Sequence, residues 1–209
     1  MVENAGPGKF LFVGNNLSLD FINTEIVADG APRDLLESPE YLAAWAGAAQ
    51  LVESGEARKL ARNWRSGTKS SQAFDRIKQF RKSWRDSVER LARGENIRPG
   101  MVGKINDALR ANTGFGEIVT ADDGARYEKI YRAEYADPDQ LLAPIAESAA
   151  DLLCYGDPGL IKKCENPVCV LYFYDATKNR QRRWCSMAAC GNRAKAAAFY
   201  RRRRGEKSA

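Results

Sequence analysis

Residues 164–204 read CENPVCVLYFYDATKNRQRRWCSMAACGNRAKAAAFYRRRR, and four of the five cysteines of the chain lie in them. They fall as two pairs, Cys164-x4-Cys169 and Cys185-x4-Cys190, with fifteen residues between the pairs. Two loops that each supply two thiolates can close a tetrahedron around one zinc ion. Two disulfides are the competing reading, but nothing in the chain marks it as secreted, and the pairing matches metal spacing. Histidine cannot contribute a ligand, because the chain has none.

Charge is concentrated around these cysteines. From Leu160 to Ala209 there are 13 Lys/Arg and 3 Asp/Glu, a net of +10, whereas the whole chain carries +6, so the first 159 residues carry −4. A basic tail by itself is often only a solvated end. Here it is tied to a metal site and interleaved with Tyr172, Phe173, Tyr174, Trp184, Phe199 and Tyr200. Clustered cations with aromatic rings are the footprint of a nucleic-acid surface.

The run Trp184-Cys185-Ser186-Met187, followed by Cys190-Gly191-Asn192-Arg193 and Lys195, resembles the CGNR zinc-finger family. Phe173-Tyr174-Asp175-Ala176-Thr177 and Arg182-Arg183 resemble the same family's middle segment. The finger expected here is treble-clef-like. Val170 to Tyr174 would form one arm of a β-hairpin, Asp175 to Asn179 its turn, and Arg182 to Trp184 the second arm. A helix over Asn192 to Arg203 would follow. Such a helix fits the DNA major groove. Arg193, with Lys195 beside it near the helix start, would reach a base edge, or else Asn192 and Arg193 would brace the zinc loop. Lys178, Arg180, Arg182, Arg183, Arg201, Arg202, Arg203 and Arg204 would lie on phosphates. RNA is the alternative partner, since rings stack on unpaired bases.

At 209 residues, 44% hydrophobic and 29% charged, the chain is of ordinary globular composition. It has no apolar run long enough to cross a membrane and no signal-peptide pattern at its start. Cysteines kept as thiolates fit a reducing cytoplasm. The absence of histidine removes Ser-His-Asp and Cys-His catalysis. No Gly-rich phosphate loop or nucleophile elbow is present, and four thiolates would leave zinc no open position, so the expectation is a non-enzyme.

Ahead of the finger, residues 1–9 read as a loose leader and Phe10 to Val13 as a short strand. Asn15 or Asn16 would cap a helix through Thr24, with Leu19, Ile22 and Ile26 on one face. Asp20, Asn23 and Thr24 are polar groups set in this apolar segment: either local hydrogen-bonding groups or a small-molecule pocket. Ser38-Pro39 starts a second helix carrying Trp45; Glu53 to Arg65 is a third. After a break at Gly67 to Ser71, Phe74, Ile77, Phe80, Trp84, Val88 and Leu91 mark an amphipathic helix over Gln72 to Arg93. Pro99 starts another, ending near Asn112. Asp122-Asp123-Gly124 lies between Glu117–Thr120 and Tyr127–Tyr131 as a hairpin turn. Pro138 to Cys154 is the last helix of this part, with Cys154 read as a small core residue.

Leu17-x-Leu19-Asp20-Phe21-x-Asn23-Thr24, then Asp34-Leu35-Leu36 and the Trp45 helix, resemble the ABATE domain. That domain precedes CGNR fingers in proteins proposed as bacterial stress-response transcription regulators. The resemblance implies an α+β fold: a mainly helical domain with a small β-hairpin over residues 10–155, a boundary at Gly156 to Gly159, and the zinc module over 160–209. It also implies a DNA-binding regulator whose N-terminal domain senses a small molecule or forms a homodimer. With such a boundary, losing zinc would unfold the finger and spare the rest.

Overall fold

One long helix organises the helical part, and its sequence shows why. The computed structural model describes residues 10–65, 68–121, 124–133, 135, 138–203 and 205. Helix α4 (Thr68–Ala92) has 25 residues, and the expected stripe Phe74, Ile77, Phe80, Trp84, Val88 and Leu91 is buried along it. Each such side chain contributes about 1.5–3 kcal/mol by leaving water. The helix begins ahead of Gln72. The Thr68 to Ser71 run expected as a break forms its first turn, with Ser70 buried; Gly67 lies outside the described residues.

Against α4 pack α1 (Leu17–Ile22), α2 (Pro39–Ala48) and α5 (Pro99–Arg110); α3 (Ser54–Trp64) packs on α2, and α6 (Leu142–Cys154), entered through a 3-10 turn, Pro138–Leu141, packs on α5 and α1. The Asn16 side chain caps α1 by accepting the Leu19 N–H at 3.2 Å. Ser38 precedes Pro39 as expected, but its hydroxyl donates to the Glu40 carboxylate at 2.5 Å instead of capping α2. Phe21 and Trp45 meet in the core with ring centroids 5.4 Å apart.

Among the described residues the strands form three two-stranded antiparallel pairs, so the α+β class holds. The expected hairpin is β3 (Gly114–Thr120) with β4 (Tyr127–Ala133), Thr120 opposite Tyr127; Asp122 and Asp123 of its turn lie outside the described residues. A second hairpin, β1 (Glu25–Ala28) with β2 (Ala31–Asp34), was not expected. Asp29 and Gly30 connect it with φ of 51° and 80°. Two left-handed residues are what a tight hairpin turn demands, and Asp-Gly is its usual sequence. The third pair joins β5 (Ile161–Lys163) to β6 (Tyr172–Tyr174).

Several expectations need correction. Phe10 to Val13 forms no strand: the carbonyls of Val13 and Gly14 are taken instead by the Arg182 guanidinium and the Tyr174 N–H. Helix α1 ends at Ile22, and Ile26 sits in β1. The strand partner of 172–174 is 161–163, not Arg182 to Trp184, because Arg182 turns its side chain inward beside the cysteines. Cys154 is exposed at the end of α6, not in the core.

The helical part and the cysteine-bearing segment share their apolar interior. Ile161 and Tyr172 belong to the main core with Trp84 and Ile145, while Ile26 and Leu35 join Phe173, Cys164, Cys185 and Cys190 in a second cluster. The Arg85 guanidinium in α4 reaches the Val170 carbonyl at 3.1 Å. No helix among the described residues is long and apolar enough to cross a membrane.

Candidate metal centre

Each cysteine pair is shaped by local hydrogen bonds. Cys164 leaves β5 with its N–H on the Leu171 carbonyl at 2.9 Å, and the Cys169 N–H closes the turn onto the Asn166 carbonyl at 2.8 Å. In the second pair, the Ser186 side chain caps a single π-turn, Met187–Gly191, that carries Cys190. This turn runs directly into α7 (Asn192–Arg203). Gly191 is buried there, and a β-carbon on it would stand 2.4 Å from the Met187 sulfur. A side chain at this glycine of the Cys-Gly-Asn-Arg run would have to displace the exposed Met187 side chain.

The four sulfurs converge within 4.8 Å of one another, and Cys164, Cys185 and Cys190 are buried. A sulfur tetrahedron at the usual zinc–sulfur bond of about 2.3 Å has edges of about 3.8 Å. The Cys185–Cys190 and Cys169–Cys185 separations are 3.7 and 3.8 Å. Donors already point at the sulfurs: the N–H groups of Asn166 and Cys185 at Cys164, that of Leu171 at Cys169, and the Asn166 amide at Cys190 at 3.3 Å. With protein charges alone, burial pushes the Cys164 thiol up. The Cys185 thiol, donating to its neighbour, holds Cys169 low and is itself pushed up. Four thiolates at this distance need a dication to coexist. The set fits one structural zinc ion, and four sulfurs fill its coordination.

The residues singled out for nucleic acid occupy different environments. Arg182 is half-buried. Its guanidinium donates to the carbonyls of Val13, Trp184 and Cys185 at 2.7, 3.1 and 2.5 Å and lies 4.1 Å from the Phe173 ring centroid. It holds the zinc loop to the chain's first described residues. Arg183 is exposed, pairs with Glu165 at 2.5 Å and lies over Trp184. Lys178 and Arg180 stand on the exposed loop after β6.

That loop is built on Asp175, a residue the sequence reading placed in a turn without a role. Asp175 is fully buried and accepts from Lys162 Nζ at 2.6 Å, the Thr177 hydroxyl at 2.6 Å and the Arg182 N–H at 2.8 Å. Burial pushes its carboxyl up, but these donors outweigh it and hold it below the usual carboxylate range.

Helix α7 buries none of its residues. Arg193 and Lys195 are exposed near its start and Arg201, Arg202 and Arg203 at its end, about 12 Å further along at 1.5 Å per residue. Arg204 lies outside the described residues. Asn192 is the bracing residue: its amide donates to the Ala188 carbonyl at 3.2 Å. No described residue bonds the Arg193 guanidinium.

The candidate pocket residues are all engaged by the protein. Asn23 is fully buried against Tyr172; the Thr24 hydroxyl donates to the Phe21 carbonyl at 2.6 Å and accepts from Arg81 at 2.7 Å. Asp20 accepts the Gly14 N–H at 2.7 Å. Burial pushes its pKa up to about 6, against the pull of the Gly14 and Val13 N–H groups and the Arg182 charge. Of the three, Asn23 ties the helical part to the finger through Tyr172, Thr24 bonds within the helical part, and Asp20 bonds the segment ahead of α1. Hydrogen bonds within the protein engage all three.

The family described as "Putative stress-induced transcription regulator" (ABATE) matches residues 15–156, and the CGNR zinc finger matches residues 161–203. No curated protein matches the chain significantly. Because the first match alone spans more than half of the chain, the protein belongs to the ABATE family and carries a CGNR zinc finger behind that domain.

Proposed function

We infer that the protein is a DNA-binding transcription regulator in which a zinc-organised module presents α7 to the duplex. The observation that carries this reading is α7 itself: a 12-residue helix with no buried residue, anchored at its base by the zinc turn and carrying Arg193, Lys195 and Arg201 to Arg203 in solvent. A helix of this width enters the major groove. Arg193, free of protein partners among the described residues, is the candidate for a base edge, and Lys178, Arg180 and the terminal arginines for phosphates. Arg182 is left out because the scaffold uses it.

In this reading the zinc is structural, the protein works without catalysis in the cytoplasm, and the helical domain supplies sensing or dimerisation. RNA is a second reading, favoured by Phe199 and Tyr200, which stand 50% and 61% exposed on α7 and would stack on unpaired bases.

The test is selection of genomic fragments with zinc-loaded protein at two salt concentrations, with structured RNA as competitor. Recovery of a short motif that survives higher salt supports the reading. Uniform recovery that vanishes with salt, or displacement by RNA, overturns it. Replacing Arg201 to Arg203 with alanine should lower affinity for all sequences and flatten the salt dependence.

A further inference from the structure

A groove of ≈ 910 Å³ runs between the β1–β2 hairpin and the zinc module, and its walls come from both. Ile26 and Ala28 line one side; Val168, Val170 and Leu171 line the other. Its volume lies in the range of small-molecule sites, which are mostly apolar with a few polar groups that fix orientation. The charged side chains lining it are Asp29, in the hairpin turn, and Arg193, at the start of α7. Val168 is 62% exposed, although it belongs to this apolar wall.

We propose that this groove binds a small amphipathic monoanion: an apolar body along Ile26, Ala28 and Val170, with a carboxylate on Arg193. Arg193 has no partner among the described residues, and a guanidinium pairs with a carboxylate through two parallel hydrogen bonds. Cys169, Cys185 and Cys190 of the metal centre also line the groove. Their charge is partly offset by the N–H groups aimed at the sulfurs and by Arg182 behind them, and the segment from Leu160 onward carries +10. A dianion such as a phosphate monoester is disfavoured, because no second cation among the described residues lines the groove and Asp29 opposes added negative charge. The inference goes beyond nucleic-acid binding but shares Arg193 with the proposed base contact, so a bound carboxylate and DNA would compete for that side chain.

The test uses full-length, zinc-loaded protein with decanoate, decanol and decylammonium as probes, kept below the concentrations at which they aggregate. Titration calorimetry gives affinity, and methyl NMR gives location. Decanoate should bind one per chain and shift the methyls of Ile26, Val168 and Leu171. Arg193→Gln should weaken decanoate about tenfold, the loss of a charge-assisted pair, while leaving decanol nearly unchanged. Val168→Glu, a surface change, should weaken decanoate more than decanol. Equal binding of decanoate and decylammonium, an Arg193→Gln variant that binds like the parent, or shifts confined to other methyls would each overturn the proposal.

Discussion

Asn23 pairs with the backbone of Tyr172 as a strand would. Its amide donates to the Tyr172 carbonyl at 2.8 Å, and its side-chain oxygen accepts the Tyr172 N–H at 2.9 Å. Both residues are buried, and 149 positions separate them. Replacing Asn23 by alanine would strand both backbone groups, each at about 1–3 kcal/mol. Asn23→Ala should therefore lose about 2–6 kcal/mol of stability in urea unfolding. Asn23→Asp should be no better, since a carboxylate cannot donate to the carbonyl. A loss under about 1 kcal/mol in either variant would mean that water replaces the amide without penalty.

Zinc removal should be felt well beyond the finger. Cys164, Cys185 and Cys190 pack in one cluster with Ile26 and Leu35, so releasing the metal loosens the apolar layer under β1. The sequence alone suggests a finger that unfolds by itself; the shared interior predicts otherwise. After chelation, amide exchange should speed up across residues 25–34 as well as 172–174. Unchanged protection in 25–34, with protection lost around the cysteines, would show two independent units.

What the sequence makes legible is what is local. The cysteine spacing announces the zinc site because each pair needs only one tight turn. The α4 stripe announces its helix because the period is carried by the residues themselves. Arg182 and Arg183 look alike in a run reading Gln-Arg-Arg-Trp, and only the inward turn of one separates a brace from a surface charge. Asp20, Asn23 and Thr24 stand out as polar residues in an apolar stretch, but Tyr172, the partner of Asn23, and Arg81, the donor to Thr24, lie far along the chain. The β1–β2 hairpin did carry a signal, Asp29-Gly30, yet its strands are four residues long and Pro32 sits in one of them. Proline in a strand argues against it except at an edge, and this two-stranded pair has two edges.

Arg81 and Asp34 offer a test of the charge network under β1 and β2. Arg81 is 1% exposed and holds Asp34 through two bonds, Nη1 to Oδ1 at 2.8 Å and Nη2 to Oδ2 at 2.6 Å, with Glu25 at 3.4 Å as its weaker partner. Burial raises the Asp34 carboxyl, but Arg81 more than reverses this and leaves it below the usual range. Removing one partner of a buried pair leaves an uncompensated charge and typically costs about 3–5 kcal/mol. Asp34→Ala should fall at the lower end because Glu25 remains. The double variant Arg81→Met, Asp34→Ala should recover part of the loss. A double variant as unstable as the sum of both singles would show that the two residues are not coupled.

Asp20 gives the fold a pH dependence of unusual sign for a carboxylate. Its pKa rises from 3.8 to about 6 on folding, so between those values the folded chain holds the proton more tightly than the unfolded one. Its contribution to stability is therefore full below pH 3.8 and is lost as pH rises from there through 6, levelling off above. Between pH 5 and pH 8 the fall should be on the order of 1 kcal/mol. In the Asp20→Asn variant the amide oxygen still accepts the Gly14 N–H without carrying a charge, although the attraction of Arg182 is given up. Urea unfolding of zinc-loaded parent and Asp20→Asn should show the variant gaining on the parent as pH rises from 5 to 8, by that amount. A parent-minus-variant difference that stays constant across the range would mean that Asp20 remains ionised throughout, with Arg182 compensating its burial.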